Sequence, residues 1–237
     1  MSSTPEPLAV VTPGSYAEEA APAKGFVLIG VAIAFAWPLV LSIPGVSGQN
    51  ITDIRDDAVN IGVKWLVVAV LCMIAFWAQL RSPSEFGIRG VRGRDVLAAI
   101  GGVIIGMVLS GVANRMAATP LSVDDLGEIA TVPVSLRAAL IVTAGICEEF
   151  IYRGFAIEAL TLLTGKRWLS AVLAWAFFTV GHAPLYDLST ALIIPGTLGA
   201  VLTVLYLWRR NLASCILMHV IVDVVFLVML PAVVKTN

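Results

Sequence analysis

From residue 24 onward, the chain is built of long apolar runs separated by short polar stretches. The runs fall at about 25–46, 60–80, 96–114, 135–162, 167–184, 188–208 and 211–233. Each approaches or exceeds the roughly 20 residues that an α-helix needs to cross a bilayer. In lipid every backbone polar group must be satisfied within its own segment, so spans of this length are helices and not open strands. The pattern predicts an all-α, polytopic membrane helix bundle with about 7–8 transmembrane helices. An eighth helix would arise from a break within 135–162 or from an interfacial segment at 84–94.

Small and kinking residues refine the pattern. Gly102, Gly106 and Ser110 recur at four-residue spacing and predict a close helix approach along the third span. Pro38 and the pair Pro195-Gly196 predict a kink or break in the first and sixth spans. Residues 1–23 are polar and rich in Pro and Ala, and carry no basic residue before Lys24. They lack the basic start and short apolar run of a signal peptide and predict a flexible cytoplasmic tail ahead of a single helical domain, 24–237.

Composition agrees: 59% of the residues are hydrophobic and 13% charged, about half the charge of a soluble domain. A net charge of −1 gives no basic field for nucleic acid. Cys72, Cys147 and Cys215 each lie in an apolar run and read as small packing side chains. Cys147, beside Glu148, has no basic neighbour in sequence to make it a nucleophile. The basic residues fall unevenly. Nine (Lys24, Arg81, Arg89, Arg92, Arg94, Lys166, Arg167, Arg209, Arg210) lie on one side of the predicted spans and four (Arg55, Arg115, Arg137, Lys235) on the other. By the positive-inside rule the N-terminus is expected in the cytoplasm of a multi-pass cell-membrane protein.

The remaining chemistry lies inside the spans. A charged side chain at mid-membrane costs about 2.5–3.5 kcal/mol on insertion scales, which makes it a functional-site candidate. The fourth span holds Glu148, Glu149 and Arg153, with Glu158 nearer its end; the fifth holds His182; the seventh holds His219 and Asp223. Helical spacing of four brings Glu149 to Arg153, and His219 to Asp223. Glu148 points elsewhere and is expected to stand alone as a candidate general base. Both histidines of the chain lie in spans. Lys64, in the second span, reads as a side chain snorkelling toward the headgroups, with a role facing the cavity as the alternative. The set Glu148, Glu149, Arg153, His182, His219 and Asp223 has the donors to activate water and hold an oxyanion. Glu148, His182 and His219 would equally form a nitrogen–oxygen set for a divalent metal such as zinc, although without the H-E-x-x-H spacing.

Glu148-Glu149-x-x-x-Arg153, then Phe178-x-x-x-His182, then His219-x-x-x-Asp223, spread over about 135–230, resembles the motif series of the CAAX protease and bacteriocin-processing (Abi) family of intramembrane endopeptidases. That family includes the type II CAAX prenyl protease. The resemblance implies hydrolysis of peptide bonds in membrane-associated proteins or peptides, with the lipid bilayer as solvent. It implies Glu148 as the base that activates water, His182 as an aid in binding it, and His219 with residue 223 as oxyanion partners. Glu149 and Arg153 would hold the site together. The family often carries Asn where this chain has Asp223, and a carboxylate donates only when protonated. Asp223 is therefore expected to orient His219 or to ligate a metal. A proton-coupled carrier and a non-catalytic immunity or scaffold protein of the same fold are the alternative readings.

Overall fold

In a computed structural model the described residues are 15–43, 54–77, 83–116 and 131–230. The basic residues Arg81 and Lys235 and most of the predicted tail lie outside them. Among the described residues all regular structure is helical. The helices are α1 (Ser15–Leu41), α2 (Ile54–Trp77) and α3 (Gly93–Met116). Next comes a continuous rod made of α4 (Val134–Thr143), a π-helical stretch (Ala144–Ala156) and α5 (Ile157–Thr164). The last are α6 (Arg167–Gly181), α7 (Ala183–Arg209) and α8 (Leu212–Val224), which runs on through a π-helical turn (Val225–Met229).

The seven rods correspond to the seven apolar runs. Five segments are long and apolar enough to cross a membrane: Lys24–Leu41, Ile54–Trp77, Gly93–Met116, Leu188–Arg209 and Leu212–Met229. The fourth rod carries too much charge for that description, and α6, with 15 residues, is too short. The eighth-helix variants do not arise: 134–164 is unbroken, and Pro83–Phe86 is a single 3₁₀ turn. α7 passes through Pro195 without breaking.

Local sequence sets where the rods end. Gly165 takes a left-handed φ of 67° after α5 and lets the chain reverse into α6. Asn211 caps α8 by accepting a hydrogen bond from the Ala213 amide. Gly87, with φ of 76°, packs against the ring of Tyr206, and its carbonyl accepts from the Leu212 amide at 2.8 Å. A short linker is thereby pinned to the start of α8.

The rod formed by α4, the π-helical stretch and α5 is the axis of the bundle. Cys147, Ile151, Tyr152, Phe155, Ala156, Ile157 and Ala159 on it are essentially inaccessible. α1, α2, α6 and α8 surround it, with α3 packed on α7 and α8. The outer faces expose Leu, Ile, Val and Phe side chains, among them Leu66, Phe76, Leu97 and Val204. That is the arrangement expected when lipid is the solvent, because close packing rather than apolar burial then holds the helices together. Gly102 and Gly106 sit under Met218 and Leu198, so the small-residue stripe does the work its spacing predicted.

Two glycines of α1 give a test with opposite signs. A Cβ on Gly30 would lie 2.4 Å from the buried Phe155 ring, whereas one on Gly25 would meet nothing within 4 Å. Gly30→Ala is expected to destabilise by about 1–3 kcal/mol through overpacking. Gly25→Ala should stabilise by about 0.4–1 kcal/mol through helix propensity and reduced unfolded-state entropy. Thermal unfolding in detergent should separate the two variants on either side of wild type.

Candidate active site

The π-helical stretch carries the three charged residues of the fourth span. Its i→i+5 bonding widens the turn, and such turns are rare and frequently lie at functional sites. Glu148, Glu149 and Arg153 are all buried there. As the spacing predicts, Arg153 Nη1 donates to Glu149 Oε1 at 2.8 Å. Arg153 is further held by the Gly199 carbonyl at 3.0 Å, and its guanidinium lies 4.4 Å from the centre of the Phe178 ring. The kinkable part of α7 thus supplies backbone acceptors to its neighbours: Gly199 to Arg153, and Gly196 to the Trp175 indole at 2.7 Å.

Glu149 Oε1 also accepts from His219 Nδ1 at 2.7 Å. Asp223 Oδ2 stands 3.6 Å from the opposite nitrogen, Nε2, beyond hydrogen-bond length. The predicted pairing of His219 with Asp223 is present as an ion-pair contact on one helix face. The hydrogen bond that holds the ring comes in addition from Glu149, on another helix. Helical spacing finds partners on the same helix and is blind to a carboxylate 70 residues away.

Glu148 carries the larger surprise. It does not stand alone: Lys64 Nζ lies 2.6 Å from Glu148 Oε1. Lys64 is buried, and its ammonium sits 5.6 Å from the Trp37 ring centre. The snorkelling expectation for Lys64 is therefore overturned. The cost of burying two opposite charges separately explains why they meet. The available signal in the sequence was the matching one: a charged residue in the second span that also needed a partner.

The other oxygen, Glu148 Oε2, is buried without a hydrogen bond to any described residue and lies 3.7 Å from His182 Nε2. His182 follows α6 directly, and its Nδ1 donates to the Phe178 carbonyl at 2.7 Å. That bond assigns the proton of the neutral ring to Nδ1 and leaves a lone pair on Nε2. Two acceptors, Glu148 Oε2 and His182 Nε2, consequently face each other across a gap. Beside them is a small cavity of about 40 Å³ lined by residues that include Trp37, Asn60, Lys64, Tyr152 and Gly181. It has room for water and is too small for a peptide.

Of the residues singled out from sequence, Glu149, Arg153 and His219 form one hydrogen-bonded group. Glu148 and His182 form a second with Lys64. Glu148, His182 and His219 do not fit a metal site in this arrangement. Among the described residues no three His, Cys, Asp or Glu side chains gather as a metal-binding group. The ammonium of Lys64 also stands against the carboxylate oxygen that a cation would need. Glu158, at the other end of the rod, belongs to neither group. It pairs with Arg210, with Arg167 at 3.2 Å and with the Tyr206 hydroxyl at 3.0 Å. Cys147 is fully buried beside the site.

Fold and site together describe a multi-pass membrane protein with an acid–base cluster largely buried in its helical core. Residues 130–225 match the model of the family described as Type II CAAX prenyl endopeptidase Rce1-like. This stretch, less than half of the chain, contains all three motifs, and the match shows the family resemblance that they carry. A membrane-embedded protease family is thus the class to which the site region is similar. Searches of curated proteins and of solved structures each gave no match.

The Lys64–Glu148 pair can be tested without an activity assay. Lys64→Met keeps the side-chain volume and strands a buried carboxylate. It is expected to cost about 3–5 kcal/mol, as breaking a buried ion pair does. Adding Glu148→Gln should restore most of the loss. Unfolding midpoints of the two single variants and the double variant check this, and equal, additive losses would refute the pairing.

Proposed function

We propose that the chain is an intramembrane endopeptidase in which Glu148 activates the hydrolytic water. One observation carries the reading: a buried carboxylate oxygen and an imidazole nitrogen lie 3.7 Å apart beside a water-sized cavity, and with a neutral ring both accept protons. Water has two protons to give and fits such a gap, one proton toward Glu148 Oε2 and the other toward His182 Nε2. A water held by two bases, with its remaining lone pair outward, is poised for attack on a carbonyl carbon.

In the first step the water oxygen bonds to the peptide carbonyl carbon, and Glu148 takes the proton released. The carbonyl π electrons move to oxygen and form a tetrahedral oxyanion. Lys64 Nζ, beside the cavity, is one donor available to it; His219 Nε2, once it carries a proton, is another. When the oxyanion collapses, the C–N bond breaks and Glu148 returns its proton to the leaving amine. Arg153 and Glu149 act at one remove: the pair fixes the His219 ring, and the bond from Arg153 to Gly199 ties the axial rod to α7. The substrate class implied is a membrane-associated peptide or protein.

The test is peptide cleavage by the purified protein in detergent. Glu148→Gln should lower kcat by about 10²–10⁴, the usual contribution of a positioned base, when assayed well below the unfolding midpoint that the stranded Lys64 ammonium lowers. His182→Gln should fall in the same range. A strong chelator should leave the wild-type rate unaltered. Cleavage that persists in Glu148→Gln would overturn the assignment, and loss on chelation with recovery on zinc would move the site to metal chemistry.

A further inference from the structure

The direction in which the site opens follows from the direction of each helix. The described basic residues outside the bundle's interior are concentrated at one end. Lys24 begins the apolar part of α1; Arg89, Arg92 and Arg94 lie before or at the start of α3; Lys166 precedes α6 and Arg167 begins it; Arg209 and Arg210 close α7. Ion pairs lock this end, with Asp95 taking Arg209 at 2.7 Å and Glu158 taking Arg167 and Arg210. Trp77, Trp168 and Trp208 are exposed at the same level. Trp beside Lys and Arg is the signature of a membrane–water interface, and the excess of basic residues marks the cytoplasmic one.

The cavity beside Glu148 lies toward the opposite end. Leu41 and Ser42 on its rim end α1, Asn60 is in the second turn of α2, and Gly181, His182 and Pro184 form the junction of α6 and α7. Ser42 is half-buried and Pro184 exposed. Between Arg167 and Gly181, α6 rises about 21 Å, most of the roughly 30 Å hydrocarbon thickness. The rim and the basic end thus lie at different faces of the membrane.

We propose that the active site opens on the face of the membrane away from the cytoplasm, and that its substrates are exported peptides or the extracytoplasmic segments of membrane proteins. This rests on the proteolytic reading above, together with the charge asymmetry. Trp37, Pro38, Leu41 and Pro184 give the rim an apolar character, suited to an extended, uncharged peptide segment.

Two arms test it. In a Cys72→Ser background, Ser42→Cys and Lys166→Cys are exposed to a membrane-impermeant maleimide on intact cells. Ser42→Cys should be labelled at once and Lys166→Cys only after permeabilisation; the reverse order overturns the orientation. In the second arm, a fluorescence-quenched apolar peptide with aspartates at both ends is added to wild-type protein in detergent, in right-side-out vesicles and in inverted vesicles. Cleavage in detergent and in right-side-out vesicles alone is expected. Cleavage in detergent and in inverted vesicles alone overturns this inference and leaves the proteolytic reading intact. Absence of cleavage in all three, including detergent, overturns the proteolytic reading and the substrate assignment with it, while the labelling arm still decides the orientation.

Discussion

The ion pair between Arg153 and Glu149 is the constraint around which the bundle is arranged. Both side chains are inaccessible to solvent, and neither could remain charged in hydrocarbon without the other. Satisfying them fully requires three further elements: α8 brings His219, α7 brings the Gly199 carbonyl, and α6 brings the Phe178 ring. Four rods must therefore meet at one depth before the charges are content. The apolar packing between rods supplies cohesion, and this polar node supplies the register at which they cohere. Such a node is costly when half-satisfied, because the low dielectric that strengthens its bonds also penalises any that is missing.

A second pair, Lys64 with Glu148, is offset by a single residue and uses a different neighbour, α2. The two glutamates are adjacent in sequence yet do opposite things. Glu149 spends its Oε1 oxygen on Arg153 and His219 and serves as structure. Glu148 has one oxygen tied to Lys64 and the other turned to the cavity and His182. One oxygen of Glu148 is thereby fixed in space while the other stays without a hydrogen bond to any described residue.

Much of this could be read along the chain, and the failures are instructive. The apolar runs announced seven rods because lipid forces every span to be long and apolar. The pairing of Glu149 with Arg153 was legible because it is a local relation on one helix. Lys64, the true partner of Glu148, was not, since the two lie on different helices and nothing in a linear pattern joins them. The same blindness hid the hydrogen bond of His219 to Glu149, while its contact with Asp223, four residues on, was legible. The widened turn at Ala144–Ala156 also left no mark, because the residues that form it (alanine, glycine, cysteine and phenylalanine among them) suit an ordinary helix equally well. Of the kink or break expected at Pro195, the break does not occur: α7 is continuous, its nearby carbonyls taken up by Trp175 and Arg153.

The widened turn makes the spacing of the axial rod a quantity that the chain counts. An i→i+5 stretch accommodates residues that an α-helix of equal height would not, so the rod's two ends are rotated relative to each other by an amount set by how many residues lie between them. Substitutions within Ala144–Ala156 change which atoms are present, whereas a deletion or insertion of a single residue changes which way everything beyond it faces. The exterior pairs at Glu158 and the interior pairs at Glu149 are then phased to each other, as two keys cut on one shaft. The length of this stretch thus sets the phase between the two ends of the rod, and the identity of its residues sets what each end holds.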